Sequence, residues 1–374
     1  MNWQFKKEFY GRKEGLNLKC IKEYLEYGYY HIPLTMFSGY YRAVYVTGDY
    51  DSIYSRIEKP FPDALTVQRP KGKFAMHFSG GFDSSLVAKF YDGDDVDYIH
   101  LVGPESDKAR AFAKTLKGKL HEIEITPEEF IKVCNEVLPL FREPYPYNDI
   151  VFAYIASKKA KELGHSLIIT GDGGDVVFGG LNVGPDSAEA CDIWKTLEPN
   201  FLLGMDTLQP LMHSVLLNWS KAELLPKGNI SVNKPFLRDY FRELNMPREI
   251  AEQKKVPWGG STGVLKSEYV VTYLKDTVQS SSHNWITKFK FYGEPKHELL
   301  FRQYSLVKWL ERNYKEKIGK SEQEIFLKEI GNVDEHDRRE RKERHMREIK
   351  NGIKVLSPAP ALQAIRKFKK LKVR

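Results

Sequence analysis

Between residues 70 and 170 the hydrophobic positions switch repeatedly between two patterns. Short apolar runs at 74–79, 96–102, 121–125 and 167–171 predict strands. Between them, apolar residues recur at helical spacing over 84–91, 105–117, 127–138 and 149–163, and Leu86, Val87 and Phe90 share one face of the first of these. Strands alternating with helices predict an α/β fold, a Rossmann-like, mostly parallel sheet with helices on both faces. From about residue 205 the pattern turns helical and irregular, which adds a helical C-terminal part. Leu300 to Tyr314 predicts an amphipathic closing helix. Residues 1–70, rich in Tyr and Phe, are expected to pack on the core as an N-terminal segment. The main domain is then 71–315, with 316–374 as a charged extension.

Two of the predicted strands run into glycine-rich strings. After Phe74-Ala75-Met76-His77-Phe78 comes Ser79-Gly80-Gly81-Phe82-Asp83-Ser84-Ser85, and then a helix. Adjacent glycines allow a sharp turn and close approach of a ligand. Successive N–H groups at a helix N-terminus suit a phosphate or pyrophosphate, and the serine hydroxyls add donors. Asp83 would repel a bare phosphate, so its presence points to a bridging Mg²⁺. After Leu167-Ile168-Ile169-Thr170 comes Gly171-Asp172-Gly173-Gly174-Asp175, followed by Val176-Val177-Phe178-Gly179-Gly180. Loops at the carboxyl ends of neighbouring strands would bring Asp83 and Asp175 together as oxygen ligands for a metal on a polyphosphate. Either string alone could be an ordinary turn.

Together the two strings resemble the synthetase domain of the asparagine synthetase and β-lactam synthetase family, whose fold is that of the N-type ATP pyrophosphatases (adenine nucleotide α-hydrolase-like). Tyr24 to Tyr29 with Pro33, Thr35 and Phe37, then Glu143-Pro144-Tyr145, Asn233-Lys234-Pro235-Phe236-Leu237 and Pro247 to Lys255 are similar to further family segments. The resemblance covers roughly residues 20–315. It implies an ATP-dependent, AMP-forming ligase that adenylates a small-molecule carboxylate and passes the acyl group to ammonia or an amine. It implies ATP and Mg²⁺ as cofactors, with metal on Asp83 and Asp175. The nucleotide is expected at Phe78, Ser79, Gly80, Gly81, Asp83, Ser84, Ser85, Val102, Thr170 and Gly171, at Phe78, Val102, Thr170 and Gly171 largely through backbone. The family's catalytic lysine falls on Lys255, with its neighbour Lys254 as the alternative; without the resemblance the pair would read as two surface lysines. Gly259 to Gly263 has the composition of a mobile loop. Asp172 would orient or deprotonate the amine, or else satisfy N–H groups of its own loop.

The chain departs from the family pattern where the acid substrate is expected: Val176 replaces a usual Glu, Leu181 a usual Tyr and Arg238 a usual Asp. Aspartate as substrate is therefore in doubt. The chain starts Met1-Asn2, without the N-terminal cysteine of a glutaminase. Nitrogen is expected from free ammonia, a separate glutaminase or other amine donor, or an amine substrate.

Composition adds bounds. At 374 residues and 41% hydrophobic the chain can bury a full core. The first residues show no signal peptide and no stretch approaches transmembrane length, so no membrane contact is expected. Three cysteines without metal or disulfide spacing fit a reducing compartment, and the cytoplasm is expected. From residue 321 onward fifteen Lys/Arg face nine Asp/Glu, so six of the net eight positive charges sit in the tail. That tail could bind nucleic acid or simply keep the chain soluble. Two alternatives to the ligase stay open: a nucleobase- or tRNA-modifying ATP pyrophosphatase, and a nucleic-acid-binding protein that uses the tail.

Overall fold

A computed structural model describes residues 4–27, 35–47, 60–104, 106–179, 194–224, 226, 234–253, 263–288 and 296–314. It opens with an antiparallel pair of strands, β1 (Gln4–Leu16) and β2 (Phe37–Thr47), with helix α1 (Leu18–Tyr27) between them. The sequence pattern gave no sign of this pair. Next come β3 (Phe74–His77), α2 (Phe82–Tyr91), β4 (Val96–Leu101), α3 (Ser106–Ala113), β5 (Lys119–Ile123), α4 (Pro127–Val137), α5 (Asp149–Glu162) and β6 (Leu167–Ile169). The four strands and four helices predicted for this stretch all form, with ends shifted by a few residues. They continue into α6 (Gly174–Phe178), α7 (Trp194–Leu203), β7 (Asp206–Leu208), α8 (Ser214–Trp219), α9 (Pro235–Glu243), α10 (Glu268–Ser280) and the closing helix α11 (Lys296–Asn313). The three-residue β7 was not anticipated; a run that short carries no period to read.

Strands β3 to β7 form one parallel sheet in the order β5-β4-β3-β6-β7. Its two faces follow from the alternation of side chains along each strand. Ala75, Ile99, Leu101 and Ile168 join the core made with α1, α4, α5, α10 and α11. Phe74, Met76, Tyr98, Leu167 and Ile169 join the opposite core, made with α2, α3, α6, α8 and α9. With both faces covered, the central strands read as continuous apolar runs rather than as alternation.

Local chemistry sets the helix ends that matter. Thr126 Oγ1 accepts from Glu129 N at 3.2 Å and Glu129 Oε2 accepts from Thr126 N at 3.0 Å, with Pro127 at the first helical position, so α4 starts on a capping box. The closing helix buries Phe301, Tyr304, Val307, Trp309 and Leu310. Trp309 Nε1 donates to Phe141 O at 3.0 Å and Arg302 Nη1 to Leu25 O at 2.9 Å, so α11 ties α1 to the sheet domain. Among the described residues, no helix is long and apolar enough to cross a membrane.

Candidate active site

The chain runs outward from β3 through β4 to β5, then returns to the other side of β3 as β6. The switch point of the sheet therefore lies between β3 and β6, where α/β folds bind ligands. Both glycine strings leave the sheet there. Gly80 has φ +74°, and a Cβ on it would stand 2.8 Å from Ala109 Cα. A Cβ on Gly171 would stand 2.6 Å from Ser84 N, so the two loops touch backbone to backbone. Only glycine permits both contacts. Gly81 is the N-cap of α2 and no side chain caps that helix, which leaves its first N–H groups for other partners.

The serines, expected as ligand donors, brace the turn instead. Ser79 and Ser84 Oγ are 3.0 Å apart, Gly81 N donates to Ser79 Oγ at 3.2 Å, and Ser84 Oγ donates to Gly81 O at 3.2 Å. Ser85 is fully buried. The N–H groups of three other expected nucleotide positions also belong to the sheet. Phe78 N donates to Ile99 O at 2.9 Å, Val102 N to Ile123 O at 2.8 Å and Thr170 N to Leu208 O at 3.1 Å. Near the first loop, this leaves the start of α2 as a source of donors for a ligand.

Asp83 and Asp175 are brought together as expected, but on a partner that the sequence did not assign. Lys234 Nζ lies 2.6 Å from both Asp83 Oδ1 and Oδ2, and 2.6 Å from Asp175 Oδ1. The lysine side chain is 1% exposed; the carboxylates are 21% and 20% exposed. Burial alone would push the ammonium toward deprotonation; Asp83 and Asp175 outweigh it, and its pKa is raised. Lys234 sits at the N-cap of α9 with φ +47°, an uncommon backbone state for a side-chain-bearing residue. The Mg²⁺ expected between these carboxylates does not fit the site as built, because a protein ammonium already occupies the position between them. Among the described residues no group of three His, Cys, Asp or Glu is arranged to hold a metal.

Asp172 has different neighbours. Its Oδ2 accepts from Thr170 Oγ1 at 2.8 Å, Thr196 Oγ1 at 2.7 Å and Gln209 Nε2 at 3.3 Å. Lys195 Nζ stands 3.4 Å from its Oδ1 and 3.8 Å from Asp149 Oδ2. This carboxylate clamps its own loop to α7 and to the end of β7 through side-chain donors, rather than by accepting from N–H groups of its own loop. Nearby, His77 Nε2 pairs with Ser157 Oγ at 3.0 Å. Burial lowers the pKa of His77 to about 4; Asp172 opposes the shift and Lys195 adds to it.

A third tie links the loops after β3 and β4. A carbonyl can only accept, so His100 Nδ1 donates to Phe78 O, at 2.9 Å. His100 Nε2 then accepts from Ser106 Oγ at 2.8 Å, and Ser106 Oγ accepts from Gly103 N at 2.7 Å. The residue is buried and its pKa is lowered, first by that burial, which suits this neutral tautomer. Sequence reasoning passed over His100, Lys195, Thr196 and Gln253 as well as Lys234.

Arg238, expected on the acid-substrate side, holds backbone instead. Its guanidinium donates to Ala251 O at 3.0 Å and Gln253 O at 2.6 Å and lies over the Phe82 ring, 4.7 Å from its centroid. Gln253 Nε2 in turn donates to Gly80 O at 3.1 Å. The segment before Lys254 is thereby pinned to the first glycine loop. Val176, at another departure from the family, is fully buried in the core. Lys254, Lys255, Leu181, Gly259 to Thr262 and the basic tail lie outside the described residues.

A doubly wound parallel sheet with two glycine loops at its switch point is the fold of the N-type ATP pyrophosphatases. Residues 66–224, which carry both loops, match the asparagine synthase family model. Over 151 residues the chain is 34% identical to the glutamine-hydrolyzing asparagine synthetase of Zea mays, covering 35% of this chain and 25% of that protein. Over 224 residues it is 27% identical to a protein of Methanocaldococcus jannaschii provisionally named as glutamine-hydrolyzing asparagine synthetase 1, covering 56% of this chain and 40% of that protein. The chain thus spans a quarter to two-fifths of the length of the relatives it matches.

Proposed function

We propose that the chain is an ATP-dependent carbon–nitrogen ligase that forms AMP. The observation that carries this is the contact of two glycine loops at the switch point, inside the segment that matches the asparagine synthase family. A carboxylate oxygen of the acid substrate attacks the α-phosphorus of ATP, and the bond to pyrophosphate breaks. The nitrogen lone pair of ammonia or an amine then attacks the acyl carbon. AMP leaves with the electrons of the C–O bond, and the nitrogen loses a proton. Mg²⁺ carried on the ATP phosphates, rather than held by Asp83 and Asp175, would supply charge neutralisation to the departing pyrophosphate.

The chain's part is to place and stabilise charge. The uncapped start of α2 and the backbone of Gly80 offer N–H donors to the leaving pyrophosphate. Lys255, or its neighbour Lys254, stabilises charge at the reacting centre; the bond from Gln253 to Gly80 supports this by pinning the preceding residue to the loop. The nitrogen arrives as ammonia, from a separate glutaminase or as an amine substrate. The thiolating alternative finds no support in the two described cysteines, since Cys20 and Cys134 are buried and burial pushes the Cys134 thiol well up. The free thiols of Cys20 and Cys134, with ATP chemistry, support a cytoplasmic location.

The test is product analysis with α-labelled ATP, a panel of carboxylic acids, and ammonia or amines. AMP, pyrophosphate and a new amide are expected. ADP and phosphate would overturn the assignment.

A further inference from the structure

Lys234 does a job for which the ligase reading has no role. Its ammonium donates to both carboxylate oxygens of Asp83 and pairs with Asp175 Oδ1, each at 2.6 Å. Almost no solvent reaches it, so it is not placed to touch a ligand. Three segments distant in sequence meet on this one atom: the start of α2, the start of α6 and the start of α9. The packing around it is tight. A Cβ on Gly174 would collide with the Asp83 carboxyl group, so the loop after β6 lies directly against that carboxylate. Pro235 follows Lys234 at the first position of α9, and the lysine takes a left-handed backbone conformation there. Such a conformation is disfavoured for a side-chain-bearing residue and persists where surrounding contacts fix it.

Two carboxylates this close repel unless a cation lies between them. A divalent ion and an ammonium both answer that need, and here the ammonium is covalently part of the chain. We propose that Lys234 is a built-in counter-cation, a positioning residue that holds Asp83 and Asp175 together in place of a resident divalent ion and keeps the two glycine loops paired without bound metal. This concerns the ligand-free chain and stands whether or not the chain makes amides.

The experiment uses the full chain without nucleotide and Mn²⁺ as probe, with free Mn²⁺ followed by electron paramagnetic resonance. The wild type is expected to show no Mn²⁺ site that depends on Asp83 or Asp175. Lys234→Met removes the charge and opens the carboxylate pair. It should gain one Mn²⁺ site, bound at least tenfold tighter than any in the wild type and lost again in Lys234→Met/Asp175→Asn. Lys234→Arg keeps the charge and should gain none. A stoichiometric Mn²⁺ site in the wild type that disappears in Asp83→Asn would overturn the proposal, as would a folded Lys234→Met chain that binds no Mn²⁺. Should Lys234→Met fail to fold, the wild-type melting temperature decides. It should be the same in EDTA and in excess Mg²⁺, because only an ion bound to the native state raises it. A rise of several degrees in Mg²⁺ that vanishes in Asp175→Asn would sink the idea.

Discussion

Asp172 and Asp175 lie three residues apart in one glycine-rich loop and look interchangeable in the sequence. In the structure they are different groups. Asp175 meets a buried ammonium at 2.6 Å. Asp172 meets two hydroxyls and an amide, with Lys195 standing off at 3.4 Å. Asp175 joins two loops through charge, whereas Asp172 anchors one loop through neutral donors. The difference arises because the partners come from elsewhere in the chain: α9 supplies Lys234, while α7 and the end of β7 supply Thr196, Lys195 and Gln209. What a loop carboxylate does is thus decided by the elements that pack over it, not by its own loop.

The largest test of this contrast is Lys234→Met. It leaves two partly buried carboxylates facing each other without a cation. Breaking a buried ion pair in this way costs about 3–5 kcal/mol. Urea unfolding should show a loss of that order, and adding Asp175→Asn should restore part of it by removing one of the repelling charges. A loss under about 1 kcal/mol would mean that the ammonium is not what holds the loops together.

The Asp172 side carries its own signature in pH. His77 lies on that side, and its folded pKa is lowered to about 4 from an ordinary 6.5. Between these values the unfolded chain takes up a proton that the folded chain refuses. The stability from keeping His77 neutral is therefore complete above pH 6.5 and is lost as pH falls toward 4. At about 1.4 kcal/mol per pH unit the whole window is worth on the order of 3 kcal/mol. Unfolding curves at pH 7 and pH 4.5 should differ accordingly, and His77→Gln should flatten that difference. An unchanged slope in the variant would assign the acid sensitivity to other groups.

A smaller effect is expected for Asp172→Asn. The amide keeps the shape and can still share bonds with Thr170 and Thr196 by turning their hydroxyls. Exchanging a charged acceptor for a neutral one should cost about 1–2 kcal/mol. Under the ligase proposal, turnover should stay within about tenfold of wild type. In Asp175→Asn, which weakens the tie at the glycine turn, it should fall about a hundredfold or more. Single-turnover rates on both variants would decide it; equal losses would return Asp172 to the chemistry.

Much of the sheet could be read from the sequence because β3 to β6 and their helices announce themselves through apolar runs, helical spacing and glycine turns. The strand pair β1 and β2 could not: Phe5, Phe9, Tyr10 and Leu16 show neither a strict alternation nor a helical period. The positions of the two glycine loops were legible because those residue types demand a turn at a strand end. The centre between them was not. Lys234 is 151 residues from Asp83, and no local pattern reports a partner at that distance. The available signal was a lysine just before Pro235 at the start of a helix, a place where a side-chain cap would be usual. Arg238 was read as a change in substrate preference because it stood out against the family pattern. Its contacts show a simpler cause, since it grips the carbonyls of Ala251 and Gln253.

The gentlest substitution sharpens the comparison most. Lys195 is the cation of the Asp172 side, as Lys234 is of the Asp175 side. Lys195 Nζ is 3.4 and 3.8 Å from the two carboxylates and 17% exposed, so water and salt screen it more than they do Lys234. Lys195→Met should therefore cost no more than about 1 kcal/mol, the range of a loosely held surface pair. It should also leave a mark at His77. The charge of Lys195 helps to keep that ring unprotonated, so removing it should raise the pKa of His77 from about 4 toward the ordinary value. Proton-detected titration of the His77 ring in the two chains would show the shift, and the acid window described above would narrow with it. Should Lys195→Met destabilise the chain as much as Lys234→Met, the two lysines would be equivalent and the contrast between their carboxylates would fail. Should stability hold but the His77 titration not move, Lys195 would point away from the buried ring, and the acid response would belong to burial alone.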